Sequence, residues 1–334
     1  MRYTIATLAS HSCLQILKGA KDEGFATLAI ATKERVSFYQ RFKFIDEIIG
    51  LKDYKELFAI QDKLKKKNTI IIPHGSFVAY LGEDYDQKLK LSHYGNKKVL
   101  GWEGNRLKQM SWLKEANLFL PKVYDDCSHI DQLVIVKLFG ARGGSGYFLA
   151  KDKNDFERKI KKFKDEKYII QQYLVGTPVY LQYFYSNLGN KIELMGVDRR
   201  YETNVDGLSR IPSPYAERVD IDPTYTVIGN FPLVVRESLL PQVYEMGEKV
   251  VKASQKLIPP KGLYGPFCLE TIITKNQRFY CIEISCRIVA GTNLFIKGSS
   301  YTDLVYGEPM STGRRIAREI KEAIKEDRLS EILD

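Results

Sequence analysis

Two glutamates carry the clearest chemistry in the sequence. They stand in "FCLETIITKNQRFYCIEISCR", Phe267 to Arg287, where two strand-forming runs flank the polar turn "TKNQR". A turn of two or four residues centred between Asn276 and Gln277 sets Glu270 directly opposite Glu283, with Cys281, Ser285 and Arg287 along the same face. Opposed cross-strand residues hold their Cβ atoms about 5 Å apart, and like charges so placed repel. Such a pair needs a shared proton or a cation. Magnesium, held by one or two carboxylates plus nucleotide phosphates, meets that need. An odd-length turn or a bulge would instead leave two unrelated charges on opposite faces.

A second candidate lies in "VIVKLFGARGGSGYFLAK", Val134 to Lys151. Val134, Val136 and Leu138 alternate onto one face of a strand, which leaves Lys137 on the other, beside "GARGGSG". The loop is not a Walker loop, because Ser145 and Gly146 stand where glycine and lysine are required. It is not the dinucleotide fingerprint either, since Leu149 replaces the last glycine and a strand follows. It reads as the tip of a β-hairpin whose open amides fold over a polyphosphate, with Lys137 as a point charge. The plain alternative is a glycine hairpin with a snorkelling lysine.

A third pattern repeats. "ASHS" (Ala9–Ser12) and "PHGSF" (Pro73–Phe77) each follow a strand and precede a helix. Each places a histidine, a serine and open amides at a helix N-terminus: His11 and Ser12 in one, His74 and Ser76 in the other. That suits a phosphate monoester. Ordinary capping accounts for each serine without any ligand.

The elements that must position these groups follow from periodicity. Strands are expected at Tyr3–Leu8, Ala26–Ala31, Phe44–Gly50 and Thr69–Ile72, separated by helices over Cys13–Gly24, Lys33–Arg41 and "YKELFAIQDKLKKK". Alternation of this kind implies an open parallel, Rossmann-like sheet, with ligands beyond the strands' carboxyl ends. After about residue 100 come a helix (Asn105–Pro121), then strand, glycine loop, strand, helix (Asp155–Lys164) and strand (Tyr168–Tyr173). From about Thr177 the chain is rich in strands and aromatics, with helices over Pro241–Lys256 and Thr312–Lys325. The expected fold class is α/β plus α+β, in three domains: 1–99, 100–180 and 181–334.

Composition narrows the classes. With 334 residues the chain exceeds one small core, and 44% hydrophobic with 28% charged residues is ordinary for a globular protein. No run of about 18 apolar residues and no leader-like start is present, so a cytoplasmic location is expected by elimination. Five cysteines without a C-x-x-C pair, and four histidines, point to buried free thiols rather than zinc. The net charge of +10 lies largely in solvated runs such as "KLKKKN", and it also suits an anionic small molecule. No nucleic-acid-binding motif and no membrane segment accompanies it.

Lys137 with "GARGGSG", the segment "YIIQQYLVGTPV" (Tyr168–Val179) and the E-x12-E-x-S-x-R pattern from Glu270 to Arg287 together resemble the ATP-grasp superfamily. There, two α+β lobes hold ATP and make acyl phosphates from carboxylates. The resemblance implies an ATP-grasp fold. It implies contacts to ATP from Lys137, Gly143, Gly144 and Ser145, and an adenine hinge at Gln171, Gln172, Tyr173 and Leu174. Many members have glutamate where Gln171 or Gln172 stands and asparagine where Ser285 stands; the second departure argues for one magnesium rather than two.

Five further segments are similar to the archaeal formate-dependent formyl ligases of purine synthesis: "TLASHSCLQILKGAKDEGF", "IPHGSF", "RRYETNVDGLSRIP", "GNFPLVVRESLLP" and "EISCRIVAGTNLF". This resemblance implies formylation of 5-aminoimidazole-4-carboxamide ribonucleotide by formate and ATP. It implies that His11, Ser12, Ser76 and Asn230 hold the ribonucleotide, and that Glu202 binds ATP. Glu270 and Glu283 would hold magnesium or manganese, and Lys137 and Arg287 would act on the transferring phosphoryl group. It further implies a symmetric homo-oligomer. A ligase for another carboxylate or amino ribonucleotide, and a nucleotide- or nucleic-acid-binding protein without turnover, remain alternatives.

Overall fold

A computed structural model describes residues 3–82, 84–138, 146–163, 166–216, 218–219, 221 and 223–334. Three sheets organise them. The first contains β1 (Thr4–Leu8), β2 (Ala26–Thr32), β3 (Glu47–Leu51), β4 (Thr69–Ile71) and β5 (Ser92–His93), all parallel in the order β3-β2-β1-β4-β5. Both β1 and β2 are buried almost throughout, as a parallel sheet covered on two faces requires. The third strand begins at Glu47, later than its apolar pattern suggests. Asp46 is occupied instead in accepting the Thr27 N–H at 3.0 Å and an ion pair from Lys21 at 2.6 Å. The helix expected over Lys33–Arg41 is a 3-10 turn, Lys33–Arg35, continued by Val36–Tyr39.

The small sheet contains β6 (Val123–Tyr124), β7 (Val134–Leu138), β8 (Tyr147–Ala150) and β9 (Tyr168–Gln172), antiparallel in the order β6-β9-β7-β8. Val134, Val136, Phe148 and Ile170 pack with Phe156 of the helix Lys153–Ile160 on one face. The other face carries Ile135, Lys137 and Gln171, paired across β7 and β9 or two residues apart.

The largest sheet contains β10 (Thr177–Ser186), β11 (Lys191–Asn204), β12 (Tyr225–Pro232), β13 (Gly265–Ile273) and β14 (Phe279–Ser285), antiparallel in the order β12-β11-β10-β13-β14. Leu181, Tyr183, Phe267 and Leu269 face a core shared with Val243, Met246 and Val250 of the helix Leu240–Leu257. The helix Arg106–Glu115, expected with the small lobe, packs against that helix and β14. Its buried Trp112 donates Nε1–H to the Val250 carbonyl at 2.9 Å.

The first and largest sheets are joined by a close helix crossing. Gly19 of the helix Cys13–Asp22 lies against the backbone of Gly313 and Arg314 in the helix Thr312–Lys325; a Cβ there would sit 2.1 Å from the Arg314 nitrogen. The last residue closes the same seam, since Asp334 and His93 exchange two backbone hydrogen bonds at 2.8 and 3.0 Å.

Candidate active site between the sheets

Glu270 and Glu283 do face each other across β13 and β14, but not for the expected reason. The turn is odd: Thr274 and Arg278 are paired, and Gln277 takes the left-handed conformation at φ 57° that closes a three-residue hairpin loop. By itself this shifts the register by one residue and points Ile282 at Glu270. A bulge between Glu270 and Thr271 on one strand, and Cys281 and Glu283 on the other, shifts it back. The two irregularities cancel. They also correct one expectation: Cys281 pairs with Thr271 and lies in the apolar core, on the opposite face from Glu283. Ser285, opposite Cys268, stays on the glutamates' face.

The repulsion between the carboxylates is handled within the chain. Arg200 of β11 makes a two-pronged bond to Glu270, at 2.7 and 3.1 Å, and stacks its guanidinium 3.7 Å over the Tyr180 ring. Glu283 receives no such partner among the described side-chain bonds. Burial, then the neighbouring Glu270, pushes its carboxyl up, against the pull of Lys137 and Arg106. A half-buried carboxyl that prefers its proton, beside a second carboxylate, supplies hard oxygen ligands for magnesium. Among the described residues no cluster of three or more metal-type side chains forms, so phosphates would have to complete the shell.

Lys137 approaches the pair from the small sheet. Burial and Arg106 hold its ammonium below the usual lysine range, and Glu283 and Glu270 pull it back up. On the same face, Gln171 is 6% exposed and its Oε1 has no hydrogen-bond partner among the described residues, an acceptor suited to an amino group. Tyr173 continues from β9 and reaches the Tyr225 hydroxyl at 3.2 Å, and Tyr225 lies 5.3 Å from the Tyr147 ring. Leu174 is buried beside them, whereas Gln172 points away and bonds Lys122 and Gln132 at 3.3 Å. Glu202 stands across this gap, its pKa raised to about 7 by burial and then by Asp206 and Glu270, against Arg200. The strands on either side of the glycine segment, β7 and β8, pair antiparallel; Gly143, Gly144 and Ser145 lie outside the described residues.

The first sheet completes the cleft. Ser12 and Ser76 occupy N-cap positions, yet neither side chain makes a capping bond. Ser12 Oγ instead meets His11 Nδ1 at 2.8 Å, and Ser76 Oγ lies 3.4 Å from Ser10 Oγ. His74 is structural: its Nδ1 accepts the Ser76 N–H at 3.2 Å, so Nε2–H donates to the Leu8 carbonyl at 2.9 Å. His11, at φ 46°, is exposed in the cleft and stacks on His74 at 5.4 Å. Surrounding protein, then His74, Arg287 and Arg200, hold its imidazole far below the usual range, so it is neutral. Gly75 wedges between His11 and Arg287: a Cβ would fall 2.9 Å from His11 Nε2 and 3.1 Å from the Arg287 guanidinium carbon.

Several partners escaped the sequence. Arg287 is held by Glu103 at 2.8 Å. Asn230 donates to Asp198 at 2.6 Å, and the fully buried Asp198 also accepts from Gln182, which leaves the Asn230 carbonyl oxygen uncommitted by that bond. Arg200 is an ordinary strand arginine in the sequence; nothing in one sequence pairs it with Glu270, seventy positions away.

The chain matches two family models, a protein of unknown function, DUF1246, over residues 5–124, and a domain of unknown function, DUF1297, over 149–334. It is 52% identical, over 98% of both sequences, to the 5-formaminoimidazole-4-carboxamide-1-(beta)-D-ribofuranosyl 5'-monophosphate synthetase of Pyrococcus abyssi. It is 47% identical to the Saccharolobus solfataricus protein of the same name, again over 98% of each. The crystal structure of an IMP biosynthesis protein PurP from Thermococcus kodakaraensis superposes with a TM-score of 0.80 at 33% identity, covering 99% of this chain and 100% of that one. A Staphylococcus aureus N5-carboxyaminoimidazole synthetase complexed with ADP shares the fold alone, at TM-score 0.63 and 17% identity over 89% of this chain and 74% of that one. With the three-sheet cleft and these full-length likenesses, the chain belongs to the family of 5-formaminoimidazole-4-carboxamide ribonucleotide synthetases, on the ATP-grasp fold.

Proposed function

We propose that the protein is an ATP-dependent ligase that joins formate to the 5-amino group of 5-aminoimidazole-4-carboxamide ribonucleotide, in purine biosynthesis. The observation that carries this is the Glu270–Glu283 pair, backed by Arg200 and faced by Lys137, at the meeting point of all three sheets. A formate oxygen attacks the γ-phosphorus of ATP, giving formyl phosphate and ADP. The ribonucleotide's amino group then attacks the formyl carbon and expels phosphate. Lys137 and Arg287 stabilise charge on the transferring group, where positioning and electrostatics dominate catalysis. Magnesium held by Glu270 and Glu283 would supply further charge neutralisation at the phosphates.

Gln171, Tyr173, Leu174 and Glu202 are assigned to adenosine; Gln172, turned toward Lys122, is reassigned to holding β6 against β9. His11, Ser12, Ser76 and Asn230 are assigned to the ribonucleotide. Neutral His11 and the amide of Asn230 bind through hydrogen bonds rather than charge. A cytoplasmic location and a homo-oligomeric assembly are carried into the proposal from the family; among the described residues no helix is long and apolar enough to cross a membrane.

Incubation with Mg·ATP, formate and the ribonucleotide should release phosphate only when all three are present. Release that persists with another carboxylate and fails with formate would move the assignment to a different ATP-grasp ligase.

A further inference from the structure

At the carboxyl ends of β1, β2 and β4, next to Ser76, lie Ser10, Arg35, Tyr54 and Tyr80, which the assignments above leave without a role. Ser10 Oγ is 3.4 Å from Ser76 Oγ and 3.4 Å from the Tyr80 hydroxyl. Tyr80 stacks on Tyr54 at 4.7 Å, and Tyr54 donates its hydroxyl to the Ala9 carbonyl at 2.9 Å. Arg35 Nη1 reaches the same carbonyl at 3.4 Å. No carboxylate forms an ion pair with Arg35 among the described residues, although most buried or half-buried arginines in this chain have one: Arg200 with Glu270, Arg287 with Glu103, Arg315 with Glu193. A half-buried guanidinium set among hydroxyls, with no acid to neutralise it, is the chemistry that grips a phosphate monoester.

We propose that Arg35, with Ser10, Ser76 and Tyr80, anchors the 5′-phosphate of the ribonucleotide and so fixes which end of it faces ATP. This rests on the ligase assignment above. The polarity follows from the continuity of the cleft. Ser76 adjoins Gly75, which lies against His11 and Arg287, and His11 also feels Arg200, which holds Glu270. A nucleotide with its phosphate at Arg35 therefore extends its base toward Glu270 and Lys137. Tyr80 agrees with this: its hydroxyl is held below the usual tyrosine range by the Ser10 bond and by Arg35, against burial. The anchor makes the enzyme a reader of nucleotides over nucleosides.

The test compares aminoimidazole carboxamide ribonucleotide with its riboside in wild type, Arg35→Met and Tyr80→Phe, with melting temperature as the folding control. Loss of a charge-assisted phosphate contact is expected to shrink the preference in kcat/KM for nucleotide over riboside by about 100-fold in Arg35→Met and about 5-fold in Tyr80→Phe. Arg35→Lys should restore part of it. An equal change for both substrates, or none for either, overturns the anchor while leaving the ligase assignment intact. If wild type turns over neither substrate, titration with ribose 5-phosphate decides the anchor separately. Binding by wild type but not Arg35→Met upholds it; equal binding, or none by wild type, overturns it.

Discussion

At the scale of single residues, Glu270 is answered by an ion-pair partner while Glu202 is left with a raised pKa, and both conditions can be tested. Arg200 neutralises Glu270, which is 8% exposed. Removing one member of such a pair strands a buried charge, at a cost of about 3 kcal/mol, whereas removing both costs much less. Arg200→Met should therefore lower the urea midpoint markedly, and Arg200→Met combined with Glu270→Gln should recover most of the loss. Glu202 gives a pH signature. With its pKa raised to about 7, it is largely protonated at pH 6 and ionised at pH 8. A carboxylate accepts ribose hydroxyl bonds more strongly than a carboxylic acid does. Adenosine, which has no phosphate to titrate, should bind tighter as pH rises from 6 to 8, and Glu202→Gln should flatten that dependence. What was legible at this scale was residue type. Glu270, Glu283, Lys137 and His11 stood out because their chemistry is unusual beside a turn or at a strand end. Asp198, Glu103 and Arg35 did not, because a charged residue in an ordinary strand or loop becomes informative only when its distant neighbour is known.

At the scale of elements, periodicity identified the helices Cys13–Asp22 and Thr312–Lys325 and the strands around them to within two residues, yet their crossing could not be foreseen. Gly19 and Gly313, residue types that ordinarily weaken a helix, here allow two backbones to touch. The hairpin shows the same gap between pattern and contact. Gln277 carries a positive φ that glycine usually marks, so the odd turn and the bulge that compensates for it were both hidden. Two alanine substitutions separate propensity from contact. Gly101→Ala, in the helix Lys97–Glu103 with nothing near its added Cβ, should raise stability by about 0.5–1 kcal/mol. Gly19→Ala gains the same propensity but drives a methyl to 2.1 Å from backbone, and should lower the melting temperature while leaving helix content unchanged by circular dichroism.

Across the whole molecule, a buried pair of carboxyl groups is set against stability. Burial and Glu270 raise the Glu283 pKa above its ordinary 4.5, so the folded chain keeps a proton there that the unfolded chain has lost. Where the native state binds more protons, stability falls as pH rises. The buried His74 and His93 act oppositely. Lowered to about 4, they leave the folded chain with fewer protons than the unfolded one up to about 6.5, so stability rises with pH over that window. In wild type these opposed slopes overlap, so the melting temperature alone does not isolate Glu283. Subtracting Glu283→Gln removes the histidine contribution, which is common to both proteins. At pH 5 Glu283 and its neutral substitute should melt within about a degree of each other. By pH 8 the variant should be the more stable, by several degrees, because only wild type carries the extra charge beside Glu270. Mg·ADP should reverse the order at pH 8, since a divalent ion takes the place of the lost proton and binds the native state alone. A variant that melts below wild type at pH 8 without nucleotide would show that Glu283 is neutralised within the chain and is not held ready for a cation.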